Sequence, residues 1–510
     1  MGSTFQGPPQ RLAVCGGTEV SGGDPRQIDV VSDLFMMTTK PYRSWDVDQS
    51  MLLPPSVKQF VPDDHPAHFV RELVRDELDL EAIYAEYDDE RGAPPFHPAM
   101  MTALLLYAYT QGVYASRRIA RACQERMDFM AITAMQTPDF RTVAKFRRRH
   151  LKALGDLFVQ VLRLCKKAGL AKLGHVALDG TKMKANASKH KAMSYGRMQE
   201  TITRLEKEVA SWFERAEAED TSDDVRHAET RVDKLPMWVT SKQRRIEKIR
   251  EAKAALEDEA KKAGATPSGD DDPPRRRRAK IASDKPDDKT QRNFTDPASK
   301  IMKTKDGFDQ CYNASAVVDA DSHVIVARIL TNQQNEQATL EPLLDDLRRD
   351  LRATPTELSA DAGYCSEELL AVLERRHIRG YVSTGRRRHK ESQTTRGLRP
   401  PTPGTRVAGM DARIKRGGWA SKYRRRKCTV EPVFGQIKHA RGFRQFLLRG
   451  EENVSCEWSM LCTAHNLLKL VASRVVPERA ARSFPQVCKP LRRPLEDRAH
   501  QRRRCASPNR

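Results

Sequence analysis

The sequence predicts an α/β protein in which a mixed β-sheet carries a helical insertion and follows an all-α region. Apolar residues recur at helical spacing from Tyr42 to about Leu170, and the chain then changes to short apolar runs that end in turns. After that change the predicted elements follow the order strand, strand, strand, helix, strand, helix, strand, helix. A chain of 510 residues exceeds one usual domain, and its hydrophobic share of 39% supports a real core.

The helical region contains two clear helix starts. Pro98 is expected to open an apolar helix, and Thr137-Pro138-Asp139 marks the start of another, which is predicted to continue through Val161. The basic residues of this second helix mostly face away from its apolar side. Such a face suits DNA binding, and it is equally typical of a solvated surface. These residues are Lys145, Arg147, Arg148 and Arg149.

The predicted sheet begins with the apolar run from Gly174 to Gly180. Two further strands form a hairpin, two more alternate with helices, and two helices end the order. These elements are Tyr312 to Asp319, His323 to Leu330, a helix from Glu336 to Leu351, Glu357 to Asp361, a helix from Ser366 to Arg376, Ile378 to Ser383, and helices from Lys422 to His439 and Cys456 to Val475. This order is that of the ribonuclease H-like fold, which is the predicted core.

The interval from about Lys189 to Thr295 is too long for a simple loop. One apolar stripe steps by three and four residues, and a second stripe offers it a partner, so an antiparallel helical hairpin without added strands is expected. The stripes are Ile202, Leu205, Val209, Trp212 and Ala216, and Ile246, Ile249 and Leu256. Gly264 to Lys289 is polar and Pro-rich and is predicted to be a linker.

These patterns divide the chain into five parts. Residues 1–41 are predicted to be disordered or to arise from a start codon placed too far upstream. Residues 42–170 form a helical DNA-binding domain, and residues 171–188 and 296–477 form the ribonuclease H-like core. Residues 189–295 are the helical hairpin insertion with its linker, and residues 478–510 form a basic tail.

Charge and composition limit the partners. The 90 Lys and Arg residues exceed the 68 Asp and Glu residues, which gives a net charge of +22 and favours nucleic acid. The ten cysteines include no C-x-x-C pair and are interpreted as reduced thiols, so no zinc site is predicted. No apolar run reaches the roughly 18 residues of a membrane span, and an intracellular location is expected.

Two aspartates occupy similar positions in the predicted sheet. Asp179 ends the run Val-Ala-Leu-Asp, and Asp361 ends a short strand before a Gly-containing turn. A carboxylate at the tip of a buried strand needs compensation of its charge, which a metal ion would provide. In this fold the two strands are neighbours, so the two carboxylates can converge on one ion.

The third acid, Glu431, lies on the predicted helix from Lys422 to His439. Tyr423, Lys427, Glu431 and Lys438 are separated by four, four and seven residues and share one predicted helical face. A solvated helix with ion pairs would show similar spacing, although Pro432 makes an ordinary surface helix less expected.

These residues carry a resemblance to the DDE transposases of bacterial insertion sequences. Asp179-Gly-Thr-Lys182, Asp361-Ala-Gly-Tyr364 and the Tyr, Arg/Lys, Glu, Lys helix are similar to the three signature regions of that family. Glu431 and Lys438 match the family spacing, whereas Lys427 stands at the Arg position and Tyr423 lies one residue too far upstream. Arg426 or Lys427 could therefore bind phosphate.

Other segments extend the resemblance from about Tyr42 to Val475. Their pattern resembles the branch of insertion sequences numbered eleven-eighty-two, which also has a helical insert after its first acid. The segments are Trp45 through Leu53-Pro-Pro55, Tyr109 to Arg117, Pro138-Asp139 with Phe146-Arg147, Ser188 to Ser194, Phe446-Leu-Leu-Arg-Gly450 and Ala464-His-Asn-Leu467.

The resemblance implies metal-dependent cleavage and strand transfer at the ends of an insertion sequence. It implies Mg²⁺ or Mn²⁺, two ions in all, held by Asp179, Asp361 and Glu431, with Lys438 as a further catalytic residue. Phosphate contacts would come from Lys182, Tyr423, Arg426 and Lys427. Double-stranded DNA at the transposon ends and at the target is the expected partner, with a homodimer assembled on DNA at the bacterial nucleoid. A nuclease of the same fold and a domesticated, non-catalytic DNA-binding protein are the alternatives.

Overall fold

The computed structural model describes residues 56–87, 94–223, 237–264, 285–304, 307–333, 337–384, 402–418 and 421–474. Three predicted parts therefore lie outside the described residues: the disordered start at 1–41, the basic tail at 478–510 and most of the linker from Gly264 to Lys289.

Helices form the first described region, as the sequence predicts. They are α1 (Pro66–Asp76), α2 (Glu81–Tyr84), α3 (Pro98–Thr110), α4 (Ser116–Glu125), α5 (Met127–Thr133), α6 (Phe140–Arg149) and α7 (Leu151–Lys167). Pro98 opens α3, and the carboxylate of Asp139 caps α6 by accepting a hydrogen bond from the N–H of Arg141 at 2.8 Å.

The helix predicted to run from Phe140 to Val161 is in fact two helices, and that prediction is wrong at His150. The backbone of His150 leaves the helical region, with φ −101° and ψ 20°. Its buried ring stacks on Tyr87 with 5.4 Å between ring centroids. The two apolar faces can therefore turn toward different parts of the core.

The central sheet contains six strands, β1 (His175–Lys184), β4 (Lys300–Thr304), β5 (Gly307–Asp319), β6 (Ile325–Thr331), β7 (Glu357–Ala360) and β8 (Arg379–Val382). Their order is β6, β5, β1, β7, β8, and β4 pairs with the first part of β5. β1 pairs antiparallel with β5 and parallel with β7, and β8 is parallel to β7. The prediction of a mixed sheet after a helical region is confirmed, whereas β4 was not predicted.

Helices pack on both the sheet and one another. Beyond the sheet strands these are α10 (Leu340–Leu351), α11 (Glu367–Arg375), α12 (Arg406–Gly417), α13 (Arg425–Gly435) and α14 (Glu451–Arg474). α14 packs on α3 and α7 of the helical region as well as on β6. One apolar core therefore extends from Ala67 in α1 to Leu470 in α14.

The interval between β1 and β4 contains two long helices, α8 (Tyr195–Asp223) and α9 (Met237–Gly264). They pack through their own small core, in which Met198, Ile202 and Ile249 are buried. Two short strands, β2 (Ala192–Ser194) and β3 (Gln291–Asn293), pair antiparallel beside them. The expectation of no added strands is thus wrong. The segments that enter and leave the helical insertion pair with each other as β2 and β3, and this pairing satisfies part of their backbone hydrogen bonds.

A buried carboxyl joins α14 to the segment that precedes it. Glu457 is fully buried, and its Oε2 accepts hydrogen bonds from the N–H groups of Leu447 at 3.0 Å and Leu448 at 3.1 Å. Burial raises the pKa of Glu457 from its ordinary value of 4.5 to about 7. The folded chain therefore keeps a proton that the unfolded chain releases above pH 4.5.

Because the folded chain retains this proton, the free energy of unfolding should fall as the pH rises from about 4.5 to 7. The difference between the two pKa values corresponds to about 3 kcal/mol in the free energy of unfolding. Glu457→Gln keeps an oxygen acceptor but cannot ionise, so it should remove this part of the pH dependence and leave the variant more stable than the parent at pH 8. Urea unfolding at pH 5 and pH 8 measures both effects. The exposed Glu452→Gln change on the same helix is the control. Equal pH dependence in the parent and in Glu457→Gln would contradict the expectation.

Candidate active site

Asp179 lies on the strand at the centre of the sheet. Val176, Ala177 and Leu178 before it are fully buried between β5 and β7, and this burial fixes the position of β1. The Asp179 side chain emerges from this run with 18% of its surface exposed, and its Oδ1 accepts the N–H of Gly180 at 2.9 Å.

Asp361 directly follows the neighbouring strand, at the level of Asp179. Leu178 of β1 is in register with Ala360, the last residue of β7, and each aspartate is the next residue along the chain. Adjacent strands lie about 4.8 Å apart, so the two backbones are close here. Asp361 also caps the short turn Ala362–Tyr364 by accepting the N–H of Ala362 at 2.8 Å.

Arg426 of α13 connects the two aspartates. Its Nη1 donates to Asp179 Oδ2 at 2.6 Å, and its Nη2 lies 3.9 Å from Asp361 Oδ1. Burial opposes the charged form of Arg426, but the charges of Asp179 and Asp361 and then of Tyr423 and Glu431 raise its pKa above the ordinary value. The negative charges of Asp179, Asp361 and Glu431 therefore all act on the Arg426 guanidinium.

Arg426 and Lys427 are the two candidates for the phosphate-binding cation, and Arg426 is the one that contacts Asp179 and Asp361. Its side chain is only 10% exposed, whereas Lys427 and Glu431 are exposed on α13. Tyr423 lies beside Arg426, with 6.0 Å from the guanidinium carbon to the ring centroid.

The segment from Lys422 to Ala440 is helical throughout, as predicted, but it changes helix type twice. The segment begins with a 3-10 turn, Lys422–Arg424, continues as α13 and ends in a π-helical turn, Gln436–Ala440. Pro432 lies inside α13 and offers no N–H group to the ladder. Each change of helix type changes the rotation per residue, so the common face of the four residues remains a prediction.

Lys438 comes from the π-helical turn and lies against β1. Its ammonium donates to Thr181 Oγ1 at 2.5 Å and to the carbonyl of Lys182 at 2.8 Å. Thr181 is two residues after Asp179, so both side chains leave the strand on the same side. The sequence analysis did not single out Thr181, although this alternation was a usable signal.

The oxygen ligands that a divalent ion would need are partly assembled. Asp179 and Asp361 offer hard carboxylate oxygens to one position, which Arg426 contacts. Within the described residues, no three His, Cys, Asp or Glu side chains are grouped closely enough to hold a metal ion. The pair of aspartates suits such an ion, and the addition of Glu431 remains a prediction.

The prediction that the basic residues of α6 mostly face away from its apolar side fits three of the four, which are exposed. Arg147 is buried, and it donates to the carbonyl of Tyr114 at 2.9 Å and to Ser116 Oγ at 3.1 Å. Arg147 thus stabilises the connection between α3 and α4, and in this buried position it does not contact phosphate. Lys145, Arg148 and Arg149 are exposed, and Arg149 pairs with Glu86 at 2.8 Å.

A helical region followed by a mixed sheet, in which β1 is antiparallel to β5 and parallel to β7, is consistent with the ribonuclease H-like class of proteins. Residues 55–149 match the family model of a transposase domain (DUF772), and residues 277–467 match that of the transposase DDE domain. The chain belongs to the insertion-sequence DDE transposases. Asp361, Glu431 and Lys438 lie inside the second match, whereas Asp179 lies between the two.

No curated protein and no solved structure is similar enough to the chain to count as a match. Among the described residues, no helix is long and apolar enough to cross a membrane.

Proposed function

We propose that this transposase cleaves DNA at the ends of its insertion sequence by hydrolysis and then joins the freed 3′-OH to target DNA. Asp179, Asp361 and Glu431 would hold the divalent ions that this family uses, Mg²⁺ or Mn²⁺, two in all. The observation that carries the proposal is the position of Asp179 on β1 and of Asp361 directly after the adjacent strand β7, both within reach of Arg426.

When bound, divalent ions between such carboxylates activate the attacking oxygen and stabilise the leaving oxygen of a phosphodiester. The protein residues contribute position and charge. Arg426 neutralises the two aspartates before DNA binds, and Lys438, held on Thr181, places a second cation along β1. Both cations would stabilise the phosphate charge that develops during attack.

DNA is the partner on which transposases act. Exposed Lys145 and Arg148 on α6 and the net charge of +22 support binding of the phosphate backbone. We also propose that the protein assembles as a homodimer on two DNA ends and is located at the nucleoid. The same proposal includes its membership of the branch numbered eleven-eighty-two.

A strand-transfer assay tests this function. The parent protein is mixed with a pre-cut DNA end, made from the inverted repeat that flanks the reading frame, and with supercoiled target DNA and Mg²⁺. Joined products are expected, and EDTA should prevent them. Cleavage of an uncut end without joining would instead support the nuclease alternative, and end binding without either product would support the non-catalytic one.

A further inference from the structure

The β4–β5 hairpin exposes an aromatic side chain near its tip. Phe308 is 58% exposed, more than any other large apolar side chain among the described residues. It lies directly opposite Lys303 in the antiparallel register, so the two side chains share one face of the hairpin. Phe308 does not contribute mainly to the protein core, because more than half of its surface is exposed to water.

This hairpin lies close to the active-site strand. The ammonium of Lys182 donates to the carbonyl of Lys303 at 3.1 Å. Lys182 is three residues after Asp179, which is about 10 Å of strand. A DNA strand whose phosphate lies at Asp179 would therefore pass the hairpin within one helical turn of roughly 34 Å.

Alternation along the paired strands places Phe308 and Lys303 on the same face of the sheet as Asp179, because Phe308 is eight residues from Ala316, which pairs with Asp179. Lys182, Lys184 and Lys300 lie on the opposite face, where Lys184 pairs with Asp309 at 3.0 Å. Lys303 is therefore the cation that lies beside the exposed ring. Positive charge beside an exposed ring is the combination that binds unpaired nucleic acid, since a phosphate meets the cation and a base meets the ring.

We propose that Phe308 stacks on an unpaired base of the DNA end close to the cleaved phosphate, while Lys303 contacts a neighbouring phosphate. The inference rests on the proposed function, because it takes the DNA strand to lie at Asp179. One exposed ring offers far less area than the roughly 800 Å² per partner of a protein interface, so a base is the better match.

The test compares two 30-base-pair duplexes, one blunt and one with five unpaired nucleotides at one end that carry 2-aminopurine. Affinity is measured by fluorescence anisotropy at one fixed salt concentration, and stacking by 2-aminopurine quenching. Phe308→Ala should lose about tenfold in affinity for the frayed duplex, which is about 1.4 kcal/mol, together with the quenching. Its affinity for the blunt duplex should change less than twofold.

Matched variants separate stacking from other effects. Phe308→Tyr should retain the quenching, whereas Phe308→Leu, which keeps an apolar side chain without a ring, should lose it. Lys303→Ala should lower the slope of affinity against salt by about one for both duplexes. Phe60→Ala, which removes an exposed ring outside the hairpin, is the control and should bind like the parent.

The possible failures are distinguishable. If the parent cleaves and joins DNA but Phe308→Ala binds and quenches like it, the stacking role is wrong and the proposed function stands. If the parent prefers the blunt duplex, the stacking role is also overturned. If the parent binds neither duplex and joins no ends, the proposed function itself fails.

Discussion

Replacing Asp361 with Asn is expected to abolish DNA cleavage and strand transfer while leaving binding of the DNA end nearly intact. Asn keeps the shape of Asp and can still accept the N–H of Ala362 that Asp361 now accepts at 2.8 Å. It removes the negative charge that a hard divalent cation requires from its ligands. Since changes to groups that only support a metal ligand cost about 10- to 100-fold in activity, loss of a ligand should cost at least about 100-fold.

Both properties can be measured on one substrate. Cleavage and joining are followed with Mg²⁺ present, and binding is followed by gel shift at the same salt concentration. Glu368→Gln, which removes an exposed carboxylate from the nearby helix α11, is the control and should behave like the parent. A cleavage rate close to the parent's in Asp361→Asn would show that Asp361 is not a metal ligand, and the three-carboxylate proposal would fail with it.

Replacing Arg426 with Ala is expected to lower the free energy of unfolding by about 3 kcal/mol. Breaking a buried ion pair commonly costs 3 to 5 kcal/mol because the partner charge is left uncompensated. The lower end applies here, since the Arg426 and Asp179 side chains are 10% and 18% exposed and Asp361 is 41% exposed.

The same change should make the protein more sensitive to divalent ions. With the guanidinium gone, Asp179 and Asp361 repel each other, so Mg²⁺ should raise the melting temperature of Arg426→Ala more than that of the parent. Arg425→Ala is the matched control, because Arg425 is the exposed preceding residue. Equal stability of the Arg426 and Arg425 variants would show that the contact with the aspartates contributes little. Equal Mg²⁺ shifts in the Arg426 variant and the parent would show that the aspartates do not share an ion.

Local pattern was sufficient to find the two aspartates. Asp179 and Asp361 each follow a short apolar run at a turn, and the order of strands made the two runs neighbours. The choice between Arg426 and Lys427 could not be made in this way. Consecutive helical residues differ by about 100° in direction, and the 3-10 turn at Lys422–Arg424 sets the starting direction.

Distant partners explain the other errors. Arg147 and Arg148 look alike in the sequence, and only the packing of Tyr114 and Ser116 against α6 decides which one is buried. The strands β2 and β3 have three residues each, which is too short for alternation to be visible. β2 and β3 lie about a hundred residues apart in the chain. A pattern read over a short stretch of sequence cannot show that two such distant segments pair.

The shared core of α3, α7 and α14 has a consequence for how the protein is made. α3 ends at Thr110 and α14 begins at Glu451, so about 340 residues separate the two sides of this contact. At roughly 5 to 20 residues per second, a ribosome needs on the order of half a minute to synthesise that interval. During this time the apolar side chains that α14 covers have no native partner. The surface that α14 covers in the folded protein is therefore completed late, and the whole core closes only after α14 has left the ribosome.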